Sequence, residues 1–139
     1  MRRQDRSCCG GLAFASISLL YEHMATYDNL PVYKESYSLL VELFRFTKNF
    51  TREYKYTLGE SIKTETVTMI THIYRANCVK DGRIVHIQSA RESVELVRLF
   101  VRLLHDLHQV DLDTFIVLNM KLESVSKQLF GWQQNCKEI

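Results

Sequence analysis

Apolar residues recur every three or four positions along most of this chain, the period of an amphipathic helix. The first such stretch opens at Leu30-Pro31. Pro is favoured at a first helical position, where its missing N–H would have had no partner. Tyr33, Tyr37, Leu40, Phe44 and Thr47 follow, with Leu39, Leu43 and Phe46 widening the stripe, and residues 49–52 close it. The second stretch runs from about Glu53 to Val79. Leu58, Ile62, Met69, Ile73 and Ala76 mark one face, with Val67, Ile70 and Tyr74 beside it. Thr64, Thr66, Thr68 and Thr71 raise strand propensity locally, but the spacing predicts one helix, stopped by Asp81-Gly82. The third stretch carries Ile87, Ala90, Val94, Val97, Val101 and Leu104, alternating spacings of three and four. Leu96, Phe100, Leu103 and Leu107 form a second row, too wide for a two-stranded seam. In the fourth, Asp111 is placed to cap a helix bearing Phe115, Leu118, Leu122, Val125, Leu129 and Trp132. Four such helices with short links predict an all-α fold, an antiparallel four-helix bundle of up-down-up-down topology.

Composition narrows the picture. A chain of 139 residues is one domain's worth. One Pro and five Gly are too few for the turns of a β-sandwich or barrel. No apolar run approaches the ~18 residues that span a bilayer, so no membrane partner is expected. The helical domain is expected over residues 30–135, with 136–139 as a C-terminal tail and 1–29 as a poorly ordered extension. Basic residues and Cys8-Cys9-Gly10-Gly11 lead there into an apolar run from Leu12 to Leu20, which suggests a secretory signal. Ser16 and Ser18 interrupt that run, and Tyr21-Glu22-His23 stands where a small-residue cleavage site belongs. Met24 reads as a natural start, which would make residues 1–23 an upstream extension. Cys8, Cys9, Cys78 and Cys136 form no C-x-x-C and no disulfide framework, pointing to a reducing, cytoplasmic compartment.

Charge matters through its distribution. The total is 18 Lys+Arg against 16 Asp+Glu. Arg45, Lys48, Arg52, Lys55 and Lys63 face only Glu53 and Glu60 in their stretch, and Arg83, Arg91, Arg98 and Arg102 face Glu92 and Glu95. Arg91, Arg98 and Arg102 share one helical face. Such a stripe is either a solvated face laced with Glu–Arg pairs or a phosphate-binding surface, since the guanidinium fork fits phosphate oxygens. Tyr54 and Tyr56, interleaved with Arg52 and Lys55, either stack on bases or fill the join between the first two helices.

Catalytic chemistry finds no support. A di-iron bundle needs Glu-x-x-His on two helices, and the chain has none. His105 and His108 lack a third ligand for zinc and read as a polar helix end, and His72 with Cys78 is a weaker pair still. Gly10-Gly11 lacks the Lys and helix start of a phosphate loop, and no serine sits in a nucleophile elbow. No cofactor, metal or enzymatic activity is expected.

Four stretches taken in order carry a family resemblance. These are Leu30-Pro-Val-Tyr-Lys-Glu-Ser-Tyr, Phe46-Thr-Lys-Asn-Phe-Thr-Arg-Glu-Tyr-Lys-Tyr-Thr-Leu-Gly-Glu, Ile73-Tyr-Arg-Ala-Asn and Gln128-Leu-Phe-Gly-Trp. Over roughly residues 30–133 the chain resembles the accessory variability determinant (Avd) proteins of diversity-generating retroelements. It also resembles their sister group, encoded by intervening sequences of bacterial 23S ribosomal RNA genes. The Lys-Tyr-Thr-Leu-Gly and Gly-Trp pieces favour the first branch, while Thr51 stands where the family commonly has Pro. The resemblance implies a pentameric ring of bundles with a basic surface. It implies binding to template RNA and DNA and to the retroelement's reverse transcriptase, in support of mutagenic cDNA synthesis, without catalysis by this subunit. The basic role carries over to Arg52, Lys55, Lys63, Arg75, Arg91, Arg98 and Arg102. A bundle attached to ribosomal RNA, or a structural or metal-binding bundle with no nucleic-acid role, are the alternative expectations.

Overall fold

The computed structural model describes residues 30–137. The extension over 1–29, with Cys8, Cys9 and the Leu12–Leu20 run, lies outside the described residues. Four long helices form, α1 (Pro31–Thr47), α3 (Leu58–Cys78), α4 (Arg83–Asp106) and α5 (Leu112–Lys137), with a single-turn helix α2 (Arg52–Lys55) between the first two. The described residues contain no strand. α1 packs on α3 and α5, and α4 packs on α3 and α5, so each long helix has two principal neighbours.

Leu30 sits extended before Pro31, as the residue preceding a proline must, and its carbonyl accepts the first helical bond from Lys34 at 3.1 Å. The stripe that α1 buries is Val32, Ser36, Leu39, Leu43 and Thr47. That departs from the expected row: Tyr37 and Phe44 are exposed and the core line runs one row over. Two parallel rows qualify in this segment. Small hydroxyls win the inner one because Ser36 and Thr47 satisfy their own Oγ on the Val32 and Phe44 carbonyls, at 2.7 and 3.2 Å.

The second segment is broken where one helix was expected. Thr57 leaves helical geometry (φ −111°, ψ −87°), dividing α2 from α3. Phe50, buried under the end of the bundle, holds the corner. Gly59 then passes so close to it that a Cβ would lie 3.3 Å from the Tyr54 carbonyl oxygen and 3.6 Å from Phe50. Further along α3, Ile62, Met69, Ile73 and Ala76 are fully buried, and Thr66 fills the gap in that row with its hydroxyl on the Ile62 carbonyl. The four threonines are therefore compatible with helix because most return their hydroxyls to the carbonyl four residues back.

Gly82, in the left-handed region at φ 81°, turns the chain into α4. Arg83 donates from Nε to the Ala76 and Val79 carbonyls, at 2.9 and 3.0 Å, closing the end of α3. The row Ile87, Ala90, Val94, Val97, Val101, Leu104 is buried throughout, as its spacing predicts. α4 ends with His108 left-handed at φ 58° and Gln109 N–H bonded to the Leu104 carbonyl at 2.9 Å, a six-to-one closure of the last turn. Asp111 then caps α5, its Oδ1 accepting from Thr114 N–H at 2.9 Å. Leu118, Leu122, Val125, Leu129 and Gln133 form the buried line of α5. The helix continues through Cys136 to Lys137, beyond residue 135 where a tail was expected to begin.

Candidate nucleic-acid and partner surface

The seven basic residues singled out by sequence divide into two groups. Lys63 is held by Glu60 at 2.6 Å, with its ammonium 4.8 Å from the centroid of the Phe44 ring. Arg98 is shared between Glu95 on its own helix (3.9 Å) and Glu123 on α5 (3.3 Å), and Glu123 also takes Lys127 at 3.7 Å. Arg91 donates to the Gln133 side-chain oxygen and lies 5.4 Å from the centre of the Phe130 ring. These three cations are engaged within the bundle, two of them as ties between α4 and α5. Arg91 and Arg98 thus lean toward α5, where glutamine and glutamate oxygens are available.

Arg52, Lys55, Arg75 and Arg102 form no salt bridge among the described residues. Arg52, Arg75 and Arg102 are exposed and Lys55 is half-buried. Arg52 and Lys55 lie at the α1–α3 corner and Arg102 one turn before the end of α4. The two regions share one end of the bundle, because Gln109 Oε1 accepts from Thr51 N–H at 3.0 Å. Arg75 stands toward the C-terminal end of α3. Lys48, absent from the expected set, is a further exposed cation beside the corner. Glu53, Asp106 and Asp113 are exposed near the same end, so a single protomer carries no undiluted basic patch there. Tyr56 is 66% exposed, while Tyr54 is half-buried. Of the two alternatives for this pair, filling the join describes Tyr54, and Tyr56 retains a face open to a partner.

The larger feature is apolar. On α1 and α3, Tyr37, Phe44, Val67 and Tyr74 are exposed. On α4 and α5, Leu96, Leu99, Leu103, Ile116 and Met120 are exposed, Met120 to 68% and Leu99 to 58%. On α4 the exposed leucines lie on the flank away from Arg91 and Arg98, the side chains that meet α5, so the exposed apolar residues spread over more than one side of the bundle. The α4–α5 face contains a groove of 770 Å³ bordered by Arg98, Ile116, Met120, Glu123 and Lys127. Large apolar side chains exposed in this number make these helices candidate interaction surfaces. The sequence signalled the α4 half through its surplus second row; the α1–α3 half was mistaken for core.

The remaining sequence candidates are structural. His105 stacks on Phe115 with centroids 4.4 Å apart, and His108 makes the left-handed turn. Cys78 and Cys136 form no disulfide among the described residues, and each is half-buried. Among the described residues, no group of three or more His, Cys, Asp or Glu is placed to hold a metal ion, and no helix is long and apolar enough to cross a membrane. A comparison with curated proteins returns no match. The family model described as bAvd-like matches residues 32–136, which spans every long helix and both apolar faces. With helices, corner and outer faces all inside the matched region, the chain belongs to the bAvd-like family and is an Avd-type accessory protein.

Proposed function

We propose that this protein is the non-catalytic accessory subunit of a diversity-generating retroelement. It binds template RNA and DNA together with the retroelement's reverse transcriptase and so supports mutagenic cDNA synthesis. Family membership over residues 32–136 carries the reading. In this proposal the domain of residues 30–135 works in the cytoplasm as an up-down-up-down bundle closed into a homopentameric ring. Contacts between Ser38 and Lys121 on α1 and α5, and between Arg91 and Gln133 and Arg98 and Glu123 on α4 and α5, support the alternation of direction. Exposed apolar residues on all four long helices suit association between copies, and a head-to-tail contact yields a ring when the rotation closes.

The proposed nucleic-acid contacts are Arg52, Lys55, Lys63, Arg75, Arg91, Arg98 and Arg102. Those without a salt bridge among the described residues (Arg52, Lys55, Arg75 and Arg102) reach phosphate directly, while Lys63, Arg91 and Arg98 add to the field from their engaged positions. Five copies multiply a charge that is diluted in one protomer, and a ring presents it in repeated register. Tyr56 offers a face to an unpaired base.

The test is co-purification of the full chain with the reverse transcriptase encoded beside its gene, with bound RNA analysed in the same sample. The expected result is a complex holding both enzyme and template RNA. Retention of ribosomal RNA without a reverse transcriptase would assign the chain to the intervening-sequence branch, and retention of neither would remove the nucleic-acid role.

A further inference from the structure

One pair of titratable groups takes no part in this reading. His72 on α3 and His86 on α4 face each other across the helix seam, ring centroids 5.8 Å apart and planes inclined by 31°. His72 Nδ1 is shut off from solvent and has no hydrogen-bond partner among the described residues. A neutral imidazole tolerates that position better than a charged one, which would add a cation to a seam with no acceptor at that nitrogen. The surrounding charges come from both helices: Arg75 and Glu65 on α3, His86 and Glu92 on α4.

We propose that the α3–α4 seam is an acid-sensitive joint with His72 as its sensor: a proton on this half-buried ring sets a cation against His86 and Arg75 and weakens the packing of α3 on α4. The energetics agree in direction. Burial, then His86, then Arg75 hold the His72 imidazole below its ordinary value of 6.5, and the opposing pull of Glu65 and Glu92 is weaker. The unfolded chain therefore binds the proton more readily than the folded one. Stability supplied at this position is present above the ordinary value and is lost as pH falls from there through the lowered folded-state value. Because α3–α4 is the most extensive helix pair of the bundle, loosening it affects the whole fold.

Histidine Cε1–H resonances of the full chain, followed by NMR from about pH 8 to about pH 4.5, read the sensor directly. His72 is expected to titrate below 6.5. Thermal unfolding is expected to fall between about pH 7.5 and about pH 5, with part of that fall absent in His72→Gln. If His72→Gln does not fold, His86→Gln serves instead, because removing the facing imidazole is expected to move the His72 midpoint upward. A His72 midpoint at or above 6.5, a pH dependence unchanged in folded His72→Gln, or a midpoint unmoved in His86→Gln would each overturn the proposal.

Discussion

Gln133 is the one buried glutamine among the described residues, and it joins Arg91 to Gln88 across α4 and α5. Removing its amide leaves the half-buried guanidinium short of an acceptor, and such losses cost about 1–3 kcal/mol. Gln133→Ala is therefore expected to lower stability by that amount in urea unfolding. Changing Arg91 and Gln133 together to Leu should recover much of the loss, since no charge is then left without a partner. None of this was visible in the sequence. A glutamine four residues beyond Leu129 looks like a polar interruption, and its partner is 42 positions away. Asp111 is the opposite case, legible because capping is local. The Thr114 side-chain and backbone hydrogen bonds hold its carboxyl below the ordinary value of 3.8. The cap's contribution is present above that value and is lost as pH falls through the lowered one. Asp111→Ala is expected to melt lower than the parent at neutral pH and to converge with it in acid, which paired melting curves would show.

The element scale separates two glycines that look alike in sequence. Gly131 lies inside α5, where an added Cβ meets nothing within 4 Å. Gly131→Ala should stabilise by about 0.5–1 kcal/mol through helix propensity alone. Gly59 lies inside α3, yet its missing Cβ is what lets Tyr54 and Phe50 approach. Gly59→Ala is expected to lose stability despite the same gain in propensity; urea midpoints of the two variants decide the matter. Trp132 shows how periodicity overreaches. It continues the α5 row but is only half-buried, because the groove against Leu30 and Val32 leaves part of the ring uncovered. The four long segments were readable because a 3.6-residue period persists over many turns. The break at Thr57 was not, because it depends on Phe50 plugging the end of a bundle that a one-dimensional pattern does not contain.

At the scale of the whole molecule, the outer faces raise the question that composition left open. If the proposed ring forms, light scattering should report about five times the 16.3 kDa protomer. Leu99→Lys and Phe44→Lys, one on each face, should each give smaller species with unchanged helical circular dichroism. An intact pentamer in both would remove these faces from the interface. For the charged surface, replacing Arg52, Lys55, Arg75 and Arg102 by Ala is expected to flatten the salt dependence of RNA binding, since each phosphate contact contributes to that slope. Replacing Arg91 and Arg98 instead should register first as lost stability. The sequence could place the basic residues on helix faces but could not distinguish them, because pairing is decided by Glu123 and Gln133 on a different helix.

The turn at Gly82 offers an experimental handle. Its left-handed backbone projects into open space, with nothing within 4 Å of where a side chain would begin. The ties that finish α3 come from Arg83, one residue later. A peptide spliced between Asp81 and Gly82 therefore interrupts neither helix and only lengthens the loop that the Arg83 clasp closes, and exposed turns are where chains accept added sequence. An epitope or a small fluorescent reporter placed there would mark the same end of every copy. In a closed assembly the labels would form a regular polygon, so the spacing between them would give the number of subunits without dismantling the particle.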